Sequence, residues 1–243
     1  PTASEIATLA AAGTPVGANT TVGTRYANPE KAEVLELGAK ILLPSGYLNI
    51  AIFDQEIEDF QTNTFVGTGF VLANAGSQST DGYEFDLVMS PTESIDLSIS
   101  GLFMDPIYDS YVGAAAGDLS GTVPSNIPED TISSTITWNF VINNWDSYLR
   151  VSHLYSSKAF LLENPVHQAL LEAQGNGFRK QNTLNFTAGF EKDNLSITLW
   201  GKNINDDEYL TSAFVAVADL SETSFFGYPN NYATYGMTLN YTF

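Results

Sequence analysis

The side chains best able to do chemistry in this chain are two histidines, one acidic run and a set of aromatics. His153 and His167 are the only histidines, and neither has a second one at metal-ligand spacing. His153 falls in an alternating segment and reads as an interfacial or lumen residue. Asp206-Asp207-Glu208 offers the oxygen ligands that Ca²⁺ takes, but it lacks the spaced carboxylates of a calcium loop and reads as a solvated acidic loop. No Gly-x-Ser-x-Gly nucleophile elbow occurs, and there is no cysteine to form a disulfide or a thiolate site. The sequence therefore predicts no enzyme, no metal centre and no cofactor. What remains is aromatic: Phe60, Phe65 and Phe70 flank one long connection, and Phe225, Phe226 and Tyr228 cluster in another. From these, Phe60, Phe65, Phe225, Phe226 and Tyr228 are the candidate ligand contacts, because rings facing a lumen stack on a sugar, a haem or an aromatic siderophore. The same rings serve equally well as interfacial anchors or as loop packing.

The elements that must position these residues are read from a period of two. In the last segment Tyr235, Met237, Leu239, Tyr241 and Phe243 alternate with Thr234, Gly236, Thr238, Asn240 and Thr242. Strict alternation means a strand with one apolar and one wet face. The rhythm recurs at Leu35–Leu43, Tyr83–Met89, Ile95–Phe103, Ile132–Phe140, Leu184–Phe190 and Leu195–Leu199, and less cleanly near 46–60 and 145–157, giving nine strands. Short turns are expected at Pro44-Ser45-Gly46, Ser90-Pro91-Thr92-Glu93, Asn143-Asn144 and Lys192-Asp193-Asn194. Long segments, roughly 61–69, 112–130, 158–180 and 204–231, alternate with these turns. Outer-membrane barrels show this alternation, with short periplasmic turns and long extracellular loops. Asn164-Pro165 before Val166–Ala173 and Gly175 predicts a capped helix, and Ser4–Ala12 before Gly13 a second; both belong in extracellular loops.

Composition narrows the function classes. The net charge of −19 repels a polyanion, so nucleic acid is excluded as a partner. Hydrophobic residues at 44% and aromatics at 12% exclude a disordered acidic chain. The wet face is rich in Thr, Ser, Asn and Gly, whereas a soluble sandwich would carry Lys and Glu there, and aromatics gather near strand ends as in a membrane barrel. A complete passive porin or structural outer-membrane barrel is the second reading, and a secreted carbohydrate-binding β domain the third. The chain starts at Pro1 with no signal-peptide pattern, which leads us to expect a processed product or a piece of a longer protein.

Several segments, in order over about 28–243, resemble the C-terminal half of TonB-dependent receptors. Asn28-Pro29-Glu30-Lys31 followed by Glu36-Leu37-Gly38-Ala39-Lys40 is similar to the opening of one of the family's barrel strands. Asn74-Ala75-Gly76 with Gly82-Tyr83-Glu84 is similar to another, and Pro124 and Pro128 stand where the family places a proline pair. Leu199-Trp200-Gly201-Lys202-Asn203-Ile204-Asn205-Asp206 with Tyr209 resembles its penultimate segment, although Asn205-Asp206-Asp207-Glu208 departs from the usual Phe-Asp. The resemblance implies an all-β, antiparallel transmembrane barrel of 22 strands with an N-terminal plug. About nine of those strands are in this chain: 1–31 would be the end of an extracellular loop, 32–243 the C-terminal strands, and the plug would lie outside it. It further implies a Gram-negative outer-membrane location, contact with lipid, TonB-driven import of a small nutrient, and a C-terminal assembly signal. That signal is Tyr235, Met237, Leu239, Tyr241 and Phe243, read by the barrel-assembly machinery.

Overall fold

The computed structural model describes residues 27–66, 69–74, 76–112, 114, 116–216 and 223–243. In chain order the elements are β1 (Lys31–Leu43), β2 (Gly46–Glu58), β3 (Gln61–Val66), β4 (Gly69–Asn74), β5 (Ser77–Thr92), β6 (Ile95–Ser110), β7 (Asp130–Ile142), β8 (Trp145–Phe160), α1 (Pro165–Ala173), β9 (Phe178–Lys192), β10 (Leu195–Lys202), β11 (Leu210–Val215), β12 (Phe225–Pro229) and β13 (Thr234–Tyr241). Nine of the strands form one antiparallel meander in the order β1-β2-β5-β6-β7-β8-β9-β10-β13, and these are the nine that alternation predicts. The pairs β3·β4 and β11·β12 are separate hairpins standing in two of the long connections. The sequence shows those segments only as length. The predicted helix at 4–12 lies outside the described residues.

Register assigns every side chain to a face, because directly opposed residues point the same way. Rows such as Leu37–Ile52–Tyr83–Phe103 and Ile41–Leu48–Leu87–Ile99 cross β1, β2, β5 and β6. Leu149–Ala188–Leu199–Met237 extends the same apolar face across β8, β9, β10 and β13. The other face reads Lys40–Asn49–Asp86–Ser100–Ser133 and Thr135–Ser152–Asn185, all polar. The apolar face is bare: Leu35 is 76% and Met237 67% exposed. A surface of this size has no place in water. Paired rings mark its two margins, Tyr83 stacked on Phe103 at 4.8 Å toward the loops and Trp138 tilted against Phe140 at 4.7 Å toward the turns. No helix among the described residues is long and apolar enough to cross a membrane, which leaves crossing by strands open.

The short turns close one end. Asn143 and Asn144 take φ of 50° and 62°, the left-handed pair that a two-residue turn between right-twisted strands requires. One expected turn is corrected. The strand does not stop at Ser90 but runs through Pro91 to Thr92, and the turn is Glu93-Ser94. Pro91 sits at an irregularity between Met89 and Thr92, where a missing N–H costs no ladder bond. Among the described residues the sheet is open: β1 and β13 are its two ends and do not pair. A complete barrel within these residues, the porin reading, would require that pairing. With nine antiparallel strands, β1 and β13 both run from the loop end to the turn end. The buried apolar cluster, Tyr108, Tyr111 and Leu119, lies at the loop end and not between sheet layers.

Candidate functional site

Antiparallel connectivity gathers the long connections at one rim, where side-chain amides and carboxylates tie them together. The connection after β6 folds back along that strand. Tyr108 N–H donates to Thr122 O at 3.0 Å and Leu119 N–H to Tyr111 O at 3.0 Å. Tyr108, Tyr111 and Leu119 bury one another, and Phe60 leans on Tyr108 with ring centres 6.2 Å apart. From this base Tyr108 OH donates to Glu163 Oε1 at 3.1 Å, and Asn126 N–H donates to Phe160 O at 2.7 Å. Arg179 Nη2 donates to Asn126 O at 2.7 Å. Partial burial pushes the Glu163 carboxyl above its ordinary value, and the hydrogen bond from Tyr108 pulls it partly back.

The next connection carries α1, for the reasons its sequence suggests. Asn164 Oδ1 accepts from Val166 N–H at 2.9 Å and His167 N–H at 3.3 Å, and Pro165 opens the first turn, where no N–H is needed. Gly175, at φ 87°, ends it. Buried Gln168 is its keystone. Gln168 Oε1 accepts from Leu161 N–H at 3.1 Å and Leu162 N–H at 3.0 Å, while Nε2 donates to Gly177 O and to Glu172 Oε1. Gln174 Nε2 donates to Thr223 O at 3.1 Å, which joins this connection to the last one.

In the last connection the acidic run works as backbone caps. Asp206 Oδ1 accepts from Ala233 N–H at 2.9 Å and Asp207 Oδ2 from Asn182 N–H at 2.6 Å. Asn203 donates to Asp207 O and Asn231 O at 2.9 and 3.0 Å. Among the described residues no group of three or more His, Cys, Asp or Glu is placed to hold a metal. Above these caps stands the β11–β12 hairpin. Phe214, Phe226 and Tyr228 share one of its faces, with Phe214 5.6 Å from Phe226 and 5.9 Å from Tyr228. They are exposed by 39%, 56% and 59%. Phe225 points the other way and meets His167 of α1 edge-on at 6.3 Å.

The candidate aromatics therefore separate by place. Phe226 and Tyr228 form an exposed patch, Phe225 packs onto α1, and Phe60 packs onto the Tyr108 cluster. The Phe65 and Phe70 side chains lie outside the described ones. Phe214 is the residue that sequence reasoning missed; its pairing opposite Phe226 is the signal, visible only once β11 and β12 are recognised as strands. His153 Nε2 lies 2.6 Å from Asn182 Oδ1, its partner on the apolar-row side.

On the polar face of the sheet two rings lie on glycines. Trp200 covers Gly236, where an added Cβ would stand 2.2 Å from the indole, and Lys202 Nζ sits 5.6 Å from the ring centre. Tyr148 covers Gly189 in the same way, with Arg150 5.4 Å from its centre. Farther along the same face, over β1 to β7, a 750 Å³ hollow is lined by Glu36, Lys40, Asn49, Glu84, Asp86 and Ser133, among others.

The family model described as "TonB dependent receptor-like, beta-barrel" matches residues 1–204. No curated protein matches the chain. Among solved structures it is similar to the ferric yersiniabactin uptake receptor FyuA of Yersinia pestis, at 17% identity and a TM-score of 0.69 over 88% of this chain and 30% of that one. The siderophore receptor PiuA of Acinetobacter baumannii gives 18% and 0.66, over 91% of this chain and 30% of that one. The ferric-catecholate import receptor Fiu of E. coli K12, in its closed form, gives 19% and 0.65, over 95% and 30%. The chain thus spans about a third of the length of these structures.

Proposed function

The chain belongs to the TonB-dependent receptor β-barrel family, and from that premise we propose that it supplies wall and loop vestibule to an outer-membrane receptor that binds and imports a scarce nutrient with TonB-derived energy. The family comprises receptors and transporters, not enzymes. In this reading the apolar face meets lipid, the polar face lines the lumen, the turns are periplasmic and the long connections extracellular.

The observation that carries the reading is the exposed Phe214–Phe226–Tyr228 face, held at the loop rim above a polar wall. Bare rings there fit a siderophore with aromatic groups, a vitamin or a glycan, since each presents a flat or apolar surface to stack upon. Phe226 and Tyr228 are the proposed ligand contacts, with Phe214 between them; Phe60 and Phe225 contribute by shaping the loops. The net charge of −19 favours a ligand of low negative charge unless the rest of the barrel and the plug supply cations.

The test is uptake by cells producing the full-length receptor, with and without functional TonB, across siderophore, vitamin and oligosaccharide panels. One class should be taken up only with TonB. F214A/F226A/Y228A should weaken its binding about tenfold while leaving the barrel folded. TonB-independent entry of all small solutes would overturn the proposal.

A further inference from the structure

We propose that the outward face of the β8–β9 loop end is a docking site for a phosphorylated lipid headgroup of the outer leaflet, held by Lys158 and Lys180 beside the paired rings of Phe160 and Phe178. The inference rests on the membrane reading above, because it requires the apolar rows to face lipid.

Register puts these residues on the lipid side. Phe178 and Lys180 continue the outward series Phe190–Phe186–Leu184–Asn182 of β9, and Phe160 opposes Phe178. An irregularity in β8 between Ser156 and Ala159 turns Lys158 to that side, with Nζ 4.7 Å from the Phe178 ring centre. The Phe160 and Phe178 rings are 5.6 Å apart. A tilted strand needs about 9–11 residues to cross the hydrocarbon. Counted up from the turn ends at Trp145 and Lys192, that span is used up near Tyr155 and Thr183, so both lysines stand at headgroup height.

Charge selects the occupant. The same margin over β2, β5 and β6 carries the directly opposed carboxylates Asp54, Asp81 and Asp105, which repel a phosphate. Only over β8–β9 does this outward margin turn basic among the described residues, in a chain with 9 basic against 28 acidic side chains. Arg179 is not part of it, being on the inward face and spent on Asn126 O. Lys180 also borders a 290 Å³ hollow with Asn176, Asn182 and Tyr209, large enough for a phosphate and its water. Asp207 and Glu208 share that hollow and both oppose an anion there; Asp207 is held by Asn182 N–H, so Glu208 is the one that can be neutralised without disturbing the loop.

The probe is diphosphorylated lipid A added to detergent-purified full-length receptor and followed by native mass spectrometry. Each lysine near an anionic surface is worth about a fivefold change in binding. K158A/K180A should therefore lose at least about fivefold of the bound lipid A, K158R/K180R should retain it, and E208Q should strengthen it. Removing one phosphate from the lipid should weaken wild type more than K158A/K180A. Equal binding by wild type and K158A/K180A, or full displacement of lipid A by millimolar inorganic phosphate, would overturn the site. Heat-modifiable receptor in the outer-membrane fraction is scored in parallel, so loss of lipid binding is separated from failure of the membrane reading.

Discussion

At the scale of single residues, the loop rim depends on a few polar side chains, and Glu163 is the one whose charge matters. Burial raises its carboxyl above the ordinary 4.5, so the folded loops favour the protonated form. The sign follows: the contribution is complete below the unfolded value and is lost as pH rises through the raised one. The packing of Glu163 into the loops should therefore loosen toward neutral pH, while the Tyr108 hydrogen bond, which favours the carboxylate, offsets part of the loss. Amide exchange at Gly121 and Asn126 of the full-length receptor, corrected for intrinsic rates, should speed up across that range. In E163Q, which keeps an acceptor for Tyr108 without the charge, it should stay slow and flat with pH. A wild-type profile as flat as that of E163Q would refute this. Phe243 is the other residue with its own test. We predict that deleting it from the full-length protein lowers outer-membrane insertion, because the Tyr235–Phe243 face ends there with Tyr241 edge-on at 5.2 Å. Unchanged amounts of heat-modifiable barrel would exclude an assembly role.

At the scale of elements, the nine sheet strands were legible because burial on one face only leaves a period of two in the sequence. Pro91 misled for a physical reason: proline marks turns, yet it is tolerated at a ladder irregularity near a strand end. The β3–β4 and β11–β12 hairpins were not legible. Each is paired only within itself and outside the main ladder, so neither needs strict alternation. That is also why Phe225 looked like a ligand contact equal to Phe226, when neighbours on a strand point to opposite sides. The helix was legible through its ends, Asn164-Pro165 and Gly175. N164A removes an acceptor used by two N–H groups and should destabilise α1 by about 1 kcal/mol, measured as faster exchange confined to that connection. On the polar wall, G236V would force the Trp200 indole off its seat. Overpacking of this kind costs roughly 1–3 kcal/mol, which should lower the temperature at which the barrel loses its heat-modifiable form. G236A should lower it less.

At the scale of the whole molecule, stability comes from ladder hydrogen bonds and lipid, not from an interior core. Among the described residues the buried apolar cluster sits at the loop end, on Tyr108 of β6, and the large exposed rows belong in hydrocarbon. Two open edges in that medium leave backbone groups unpaired, each at a cost of several kcal/mol. Residues 27–243 produced alone and refolded in detergent should thus fail to give a heat-modifiable monomer; a sharp, SDS-resistant band would count against the open sheet. The acidic margin over β2–β6 and the basic one over β8–β9 were invisible to the net charge, which sums over both.

The shared direction of β1 and β13 has a consequence for assembly. Place two copies of this sheet in one membrane with the same side up, and each β13 meets a β1 running parallel to it. No rotation about the membrane normal converts that seam into an antiparallel one. Whatever completes the cylinder must contribute an odd number of strands and offer two edges that both run upward. Parity thus works as a lock: copies of this nine-stranded sheet cannot seal each other into a spurious pore, and only a complement of the right count can.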